Sequence, residues 1–322
     1  MENKTENKKL YSVSSNPHVR SSMSTQKIML IVIIGLLPTS VFGIYHFGIR
    51  ALAVILTSVI SAVAFEALFN LIIKKDNTVG DLSAVITGLL LALNLPVSVP
   101  LWLPVLGSLF AIVVVKCLFG GLGQNFMNPA LGARCFLLIS FPKLMTDFAY
   151  SSGVDVISGA TPLQCIRTGS YVNLRDMVIG NTMGTIGETS MLAIVLGACI
   201  MILFGVIDLY VPASYIISFG VLYFAFTGFS CSYYDICLQL AGGGLMLGAF
   251  FMATDYVTRP VSKKGQIVYG IFLGLLTAIF RLFAPSAEGV SYAIIIGNLI
   301  VPLIEKITVP TPFGVVKKGG KA

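Results

Sequence analysis

Residues 155–162 read Asp-Val-Ile-Ser-Gly-Ala-Thr-Pro. Thr161 is the residue in this run that invites chemistry, because its hydroxyl can be esterified by a phosphate-bearing group. An enzyme delivering a bulky group to that oxygen needs small neighbours and open backbone. Gly159 and Ala160 supply both on one side. Pro162, on the other, stops a helix from continuing through the threonine. The plainer reading is a polar turn, with Asp155 or Ser158 capping a short helix. Residue types alone do not name the attached group.

The run lies in the one long polar stretch of an oily chain. Of 322 residues, 56% are hydrophobic and 11% charged, and the mean hydropathy is +0.90. A soluble domain carries about 25% charged residues, so most of this surface must face lipid. The expected class is an all-α, multi-pass membrane protein. The net charge of +7 invites thoughts of nucleic acid, but the excess Lys and Arg sit in loops and tails, as topology bias requires. Nucleic acid is therefore excluded as a partner and membrane lipid is expected. No cleavable leader is expected either, since the first apolar run follows a polar arm and leads straight into a second. Cys117, Cys135, Cys165, Cys199, Cys231 and Cys237 form no CxxC pair, and His18 and His46 are the only histidines. No metal site is expected, and Cys in apolar runs is an ordinary small hydrophobe. A Cys165–Cys231 disulfide is geometrically open but has no positive support.

Ten apolar segments read as membrane-spanning helices, over about 27–45, 49–73, 81–95, 100–119, 129–141, 190–208, 212–228, 236–254, 267–283 and 289–306. The third and fifth are short for a bilayer that asks for roughly 20 apolar residues. The chain divides into an arm (1–26), a first five-helix half (27–141), a polar loop (142–189), a second five-helix half (190–307) and a tail (308–322). Ten crossings put both termini on one face. That face collects most of the cations, among them Lys8, Lys74, Lys116, Lys263 and Lys317, whereas the other holds Arg50, Lys143, Arg167, Arg175 and Arg281. The bias places the termini in the cytoplasm and Thr161 outside it. Asp81 and Asp235 open the third and eighth segments, each with glycine in its middle, and Asn128 and Asn298 recur in the fifth and tenth. Five spans followed by five would be inverted relative to each other, as in many transport folds.

The run Asp155-Val156-Ile157-Ser158-Gly159-Ala160-Thr161 matches D-x-x-S-G-A-T, the motif at which flavin transferase attaches FMN. Together with SSNPHVR (14–20), ITGLLLALNLP (86–96), NPALGARCFLLISFP (128–142) and FMATDYVTRPVSKKGQIVYG (251–270), it carries a resemblance over nearly the whole chain. The sequence resembles the D subunits of the Rnf complex, a family similar to the B subunits of sodium-pumping NADH:quinone oxidoreductase. The resemblance implies FMN joined to Thr161 by a phosphodiester, with Asp155, Ser158, Gly159 and Ala160 as the recognition segment, and a non-covalent riboflavin elsewhere. It implies a bacterial or archaeal cell membrane and a hetero-oligomeric complex with a second FMN-bearing subunit and iron–sulfur subunits. That complex would pass electrons between ferredoxin and NAD while pumping sodium ions or protons. The family places its flavin at the outer face, where the charge count independently puts Thr161. This chain would be an electron carrier within a translocase and not catalytic alone.

Two rivals remain at the level of sequence: an inverted-repeat channel or transporter without redox role, and the quinone-reducing relative. Ionisable residues in or near spans are functional candidates by default. Capping or snorkelling accounts for Asp81, Asp208, Asp235 and Glu305. Glu66 is a candidate partner for a transported cation. Arg134 is a candidate contact for a flavin phosphate or ring, or a snorkelling cation. Gly242-Gly243-Gly244 allows a broken helix or close helix packing; close packing of small residues is the commoner explanation and a cofactor approach the sharper one. Trp102 and Tyr150 suit an interfacial aromatic belt.

Overall fold

The structure is a computed structural model that describes residues 23–74, 78–148, 150–152, 155–157, 161–228, 232–284 and 289–310. Two long apolar helices, α1 (Thr25–Phe47) and α2 (Ile49–Ile73), open the chain. Gly48, at φ 74°, makes the one-residue turn between them. The Ser24 hydroxyl caps α1 by accepting from the Lys27 N–H, as a serine at that position should. Then come α3 (Ser83–Leu93), α4 (Trp102–Leu109, running on as π-helix over Phe110–Cys117) and α5 (Pro129–Ser140). Asn128 caps α5, accepting from the Ala130 and Leu131 N–H groups ahead of a first-turn proline.

The stretch 142–189, between the two apolar halves, is more ordered than its composition predicts. It contains α6 (Pro142–Met145), α7 (Pro162–Arg167), α8 (Leu174–Ile179) and an antiparallel hairpin, β1 (Tyr150–Ser152) with β2 (Asp155–Ile157). Among the described residues the hairpin is a small addition to regular structure that is otherwise helical. These elements are one or two turns long, too short to show a period, and local caps make them. Asn173 caps α8, and prolines open α6 and α7.

The second half repeats the density of apolar helix. It comprises α9 (Met191–Leu203), α10 (Tyr210–Phe226), α11 (Tyr233–Ala241), α12 (Leu245–Leu247, continuing as π-helix over Gly248–Met252), α13 (Lys263–Phe283) and α14 (Val290–Thr308). Among the described residues all ten expected segments are helical. Four helices, α1, α2, α13 and α14, are long and apolar enough to cross a membrane, and α11 with α12 makes a fifth bent by 63°. The others are shorter. At 1.5 Å per residue α3 reaches about 17 Å, roughly half the hydrocarbon thickness. Its last carbonyls are met inside the protein, where Gly187 N–H donates to Leu93 O and Ile186 N–H to Leu95 O. Backbone broken at membrane depth is tolerated only with such partners.

Packing between helices relies on small residues, as it must where lipid is as apolar as leucine. A Cβ at Gly197 on α9 would collide with the Gly35 carbonyl of α1. On α10, Ser214 and Ser218 face Gly270 and Gly274 of α13, and Tyr215 shares a 2.7 Å hydrogen bond with Thr277.

Candidate functional site

Thr161 stands immediately before α7 as its N-cap. Its Oγ1 accepts from the Gln164 N–H at 3.4 Å, while the Gln164 side chain accepts from the Thr161 N–H at 3.2 Å. This is a complete capping box. The cap is therefore Thr161 itself, neither Asp155 nor Ser158. Pro162 starts the helix that Thr161 caps. Ser158, Gly159 and Ala160 lie outside the described residues, and Asp155 sits in β2. Thr161 is only 7% exposed. It lines a cleft of about 380 Å3 with Met177, Met183, Glu188, Thr189, Gly242 and Gly243.

Across the cleft lies the glycine run, and it is a break rather than a packing stripe. Gly243 and Gly244 have φ of +64° and +66°, a region that side chains with a Cβ rarely enter. Arg281, buried on α13, staples the broken ends. It donates through Nη2 to Gly242 O at 2.8 Å and Gly243 O at 3.3 Å, and through Nη1 to the Gln239 carbonyl. Arg167, in the last turn of α7, donates to Arg281 O at 2.9 Å and also to Ala284 O. Two arginines in series thus tie the short helix bearing Thr161 to the break facing it. Arg281 is an internal staple, not the loop cation of the charge count.

Arg134 neither snorkels nor points at the cleft. Its Nη1 donates to Glu188 Oε1 at 2.9 Å and Asn94 Oδ1 at 2.7 Å, with both charged side chains almost wholly buried. Glu188 escaped the sequence reading because it stands in a polar stretch. The cost of a buried arginine in a membrane span was the signal that a carboxylate had to be found.

Glu66 also has a partner within the chain. Lys116 Nζ lies 2.8 Å from Glu66 Oε1 and 2.6 Å from Ser83 Oγ, and Thr78 donates to the same carboxylate oxygen at 2.9 Å. Side-chain exposures of 3% and 2% make this an internal pair. Lys116 is consequently no surface charge. Removing it and Arg281 from the count leaves the direction of the bias unchanged.

Lys116 and Ser83 also line a larger inner cavity of about 780 Å3, with Thr87, Asn125, Asn128, Phe251 and Asp255. With its amide oriented to satisfy both ends, Asn298 accepts from the Asn128 N–H at 3.1 Å and donates to Ile294 O. The two asparagines that recur in the sequence therefore meet. Burial pushes the Asp255 carboxyl up from its ordinary range, opposed in part by the Val257 N–H and the Thr258 hydroxyl.

Three further acids behave as structural groups. Asp81 accepts from the Ser83 N–H at 2.8 Å at the start of α3. Asp235 closes a capping box with Ser232, and Glu305 accepts from the Val261 N–H at 3.2 Å. Trp102 is half exposed and packs edge-on against Phe141. The side chain of Tyr150 and all of Cys231 lie outside the described residues. Among the described residues no cluster of His, Cys, Asp and Glu has the makings of a metal site.

Residues 12–314 match the NQR2, RnfD, RnfE family. The D subunit of the Na(+)-translocating ferredoxin:NAD(+) oxidoreductase complex of Acetobacterium woodii is 46% identical over 317 residues, spanning 96% of this chain and 98% of that one. The D subunit of the proton-translocating ferredoxin:NAD(+) oxidoreductase complex of Clostridium ljungdahlii is 40% identical over 95% of this chain and 97% of its own. The D subunit of an ion-translocating oxidoreductase complex from Cronobacter sakazakii is 31% identical, over 95% and 99% respectively.

Proposed function

The chain belongs to the NQR2, RnfD, RnfE family, and from that premise we propose that it is the D subunit of an ion-translocating ferredoxin:NAD oxidoreductase complex carrying FMN on Thr161. The observation that carries the reading is the complete D-x-x-S-G-A-T run ending on a threonine that lines a cleft. The residues suit the group. Thr161 Oγ1 serves α7 only as an acceptor, so replacing its hydrogen by phosphorus leaves a lone pair for the Gln164 N–H. The cleft offers apolar surface at Met177 and Met183 and polar backbone at Gly242 and Gly243.

FMN, when bound, supplies the electron chemistry, and the protein's part is to hold it in place and set its surroundings. The capping box fixes where the Thr161 oxygen sits, Arg167 and Arg281 fix α7 against the glycine break, and burial limits water. A non-covalent riboflavin is proposed for the inner cavity. Apolar walls at Leu90 and Phe251 with a few amides and hydroxyls from Asn125, Asn128 and Thr87 suit a neutral heteroaromatic ring.

The same proposal includes ten membrane crossings in two inverted halves within a bacterial or archaeal cell membrane, with both termini cytoplasmic and Thr161 outside. Three observations support it. The first helices of the two halves meet at Gly35 and Gly197. The third apolar helix of each half ends at a break held by an arginine, Arg134 at Asn94 and Arg281 at Gly242. Asn128 and Asn298 adjoin. Partner subunits with a second FMN and iron–sulfur clusters, and a flavin transferase for maturation, complete the proposal.

The test is the full chain co-expressed with a flavin transferase and run on a denaturing gel. A yellow-green fluorescent band and an intact mass raised by FMN less water are expected. A wild-type chain with no band, or a Thr161→Ala chain that keeps it, overturns the assignment.

A further inference from the structure

Glu188 lies between α8 and α9, faces the Thr161 cleft, and is 6% exposed at its side chain. A Cβ at Gly244 would collide with its carboxylate, so the glycine break lets the acid settle directly against backbone. Behind it stands Arg134, and behind that Asn94, whose Nδ2 donates to Leu90 O at 2.6 Å. Leu90 lines the inner cavity. One buried chain of polar contacts therefore runs from the wall of the outer cleft to the wall of the inner one.

A carboxylate and a guanidinium held this deep are each expensive to dry. A hydrophobic pair of similar volume would tie α5 to this loop at least as well. The placement of the charges is what such a pair would lose. The negative end faces the cleft and the positive end faces away from it. We propose that Glu188, oriented by Arg134, sets the charge environment of the group carried on Thr161 and holds that group's reduction potential down. The inference rests on the flavin assignment above. Glu188 and Thr161 line the same cleft, so negative charge gained by the carried group would be opposed by a fixed carboxylate less screened than in bulk water.

The test is reductive titration of the full chain, matured by co-expressed flavin transferase, with dithionite as electron donor and flavin absorbance as readout. Glu188→Gln keeps the shape and can still accept from Arg134. It is expected to raise the ratio of reduced to oxidised flavin at a fixed ambient potential at least tenfold, which is about 59 mV for a one-electron couple. Glu188→Asp and Arg134→Lys keep the charges and are expected to stay within about threefold of wild type, or 28 mV on the same scale. A Glu188→Gln protein that carries the fluorescent band but titrates within twofold of wild type overturns the proposal. So does a shift in Glu188→Asp as large as in Glu188→Gln, because a structural role then explains both. Should Glu188→Gln fail to fold or to take up flavin, Arg134→Gln takes its place: it leaves the carboxylate without its cation and is expected to lower the ratio of reduced to oxidised flavin at least threefold, and an unchanged or raised ratio overturns the proposal. A wild-type chain without the fluorescent band brings down the flavin assignment first, and this inference with it.

Discussion

Truncating Lys116 to methionine removes the ammonium from a carboxylate whose side chain is 2% exposed. The two charges lie 2.8 Å apart, which at an effective dielectric of about 20 is an attraction of roughly 6 kcal/mol. That figure is not the worth of the pair, because drying each ion costs several kcal/mol and the two nearly cancel. The asymmetry lies in breaking it. In Lys116→Met, Glu66 keeps one hydrogen bond, from Thr78, while its Oε2 has no partner among the described residues. Leaving one charge of a buried pair behind costs about 3–5 kcal/mol. Replacing both, as Lys116→Met with Glu66→Leu, leaves no unpaired charge and is expected to cost less than either single change, or to stabilise. The assay is unfolding of the full chain in mixed micelles on a graded denaturing detergent, with wild type, both single variants and the double. The diagnostic is the coupling term, expected to be well over about 1 kcal/mol in favour of the double. If Lys116→Met costs under about 1 kcal/mol, or the double equals the sum of the singles, the pair is not dry and the reasoning fails.

Gly197→Ala is expected to lose about 1–3 kcal/mol of stability, the usual penalty for forcing a methyl into a filled contact, because the new Cβ collides with the Gly35 carbonyl. A thermal melt equal to wild type in the same detergent would refute the α1–α9 contact. Asp255→Asn addresses a carboxyl whose value is raised in the folded state. Such a group contributes stability below its unfolded pKa of about 3.9 and loses it as pH rises through the folded value. The asparagine variant is therefore expected to melt no lower than wild type at about pH 7, and the difference to close towards about pH 4. A clear loss at neutral pH alone would show that the charged form is the one being used.

Much of this protein was legible one segment at a time. Among the described residues hydropathy located ten apolar segments that are helical, since a bilayer rewards apolar length wherever it occurs in a chain. Asp81 and Asp235 announced helix starts, because capping joins residues two or three positions apart. The candidate threonine came from one contiguous run. What stayed hidden was pairing at long range. Glu66 and Lys116 are 50 positions apart, and Arg134 and Glu188 are 54. Only the packed helices bring each pair within hydrogen-bonding distance. The glycine run shows the divide most plainly. Gly242, Gly243 and Gly244 permit a close contact or a break equally well, because a missing Cβ is a licence and not an instruction. The break follows from the Arg281 guanidinium on another helix, whose hydrogen bonds are satisfied by carbonyls that an unbroken helix would have kept for itself. Apolarity, capping and motif are properties of neighbours along the chain, whereas the partner of a buried charge is chosen by tertiary proximity.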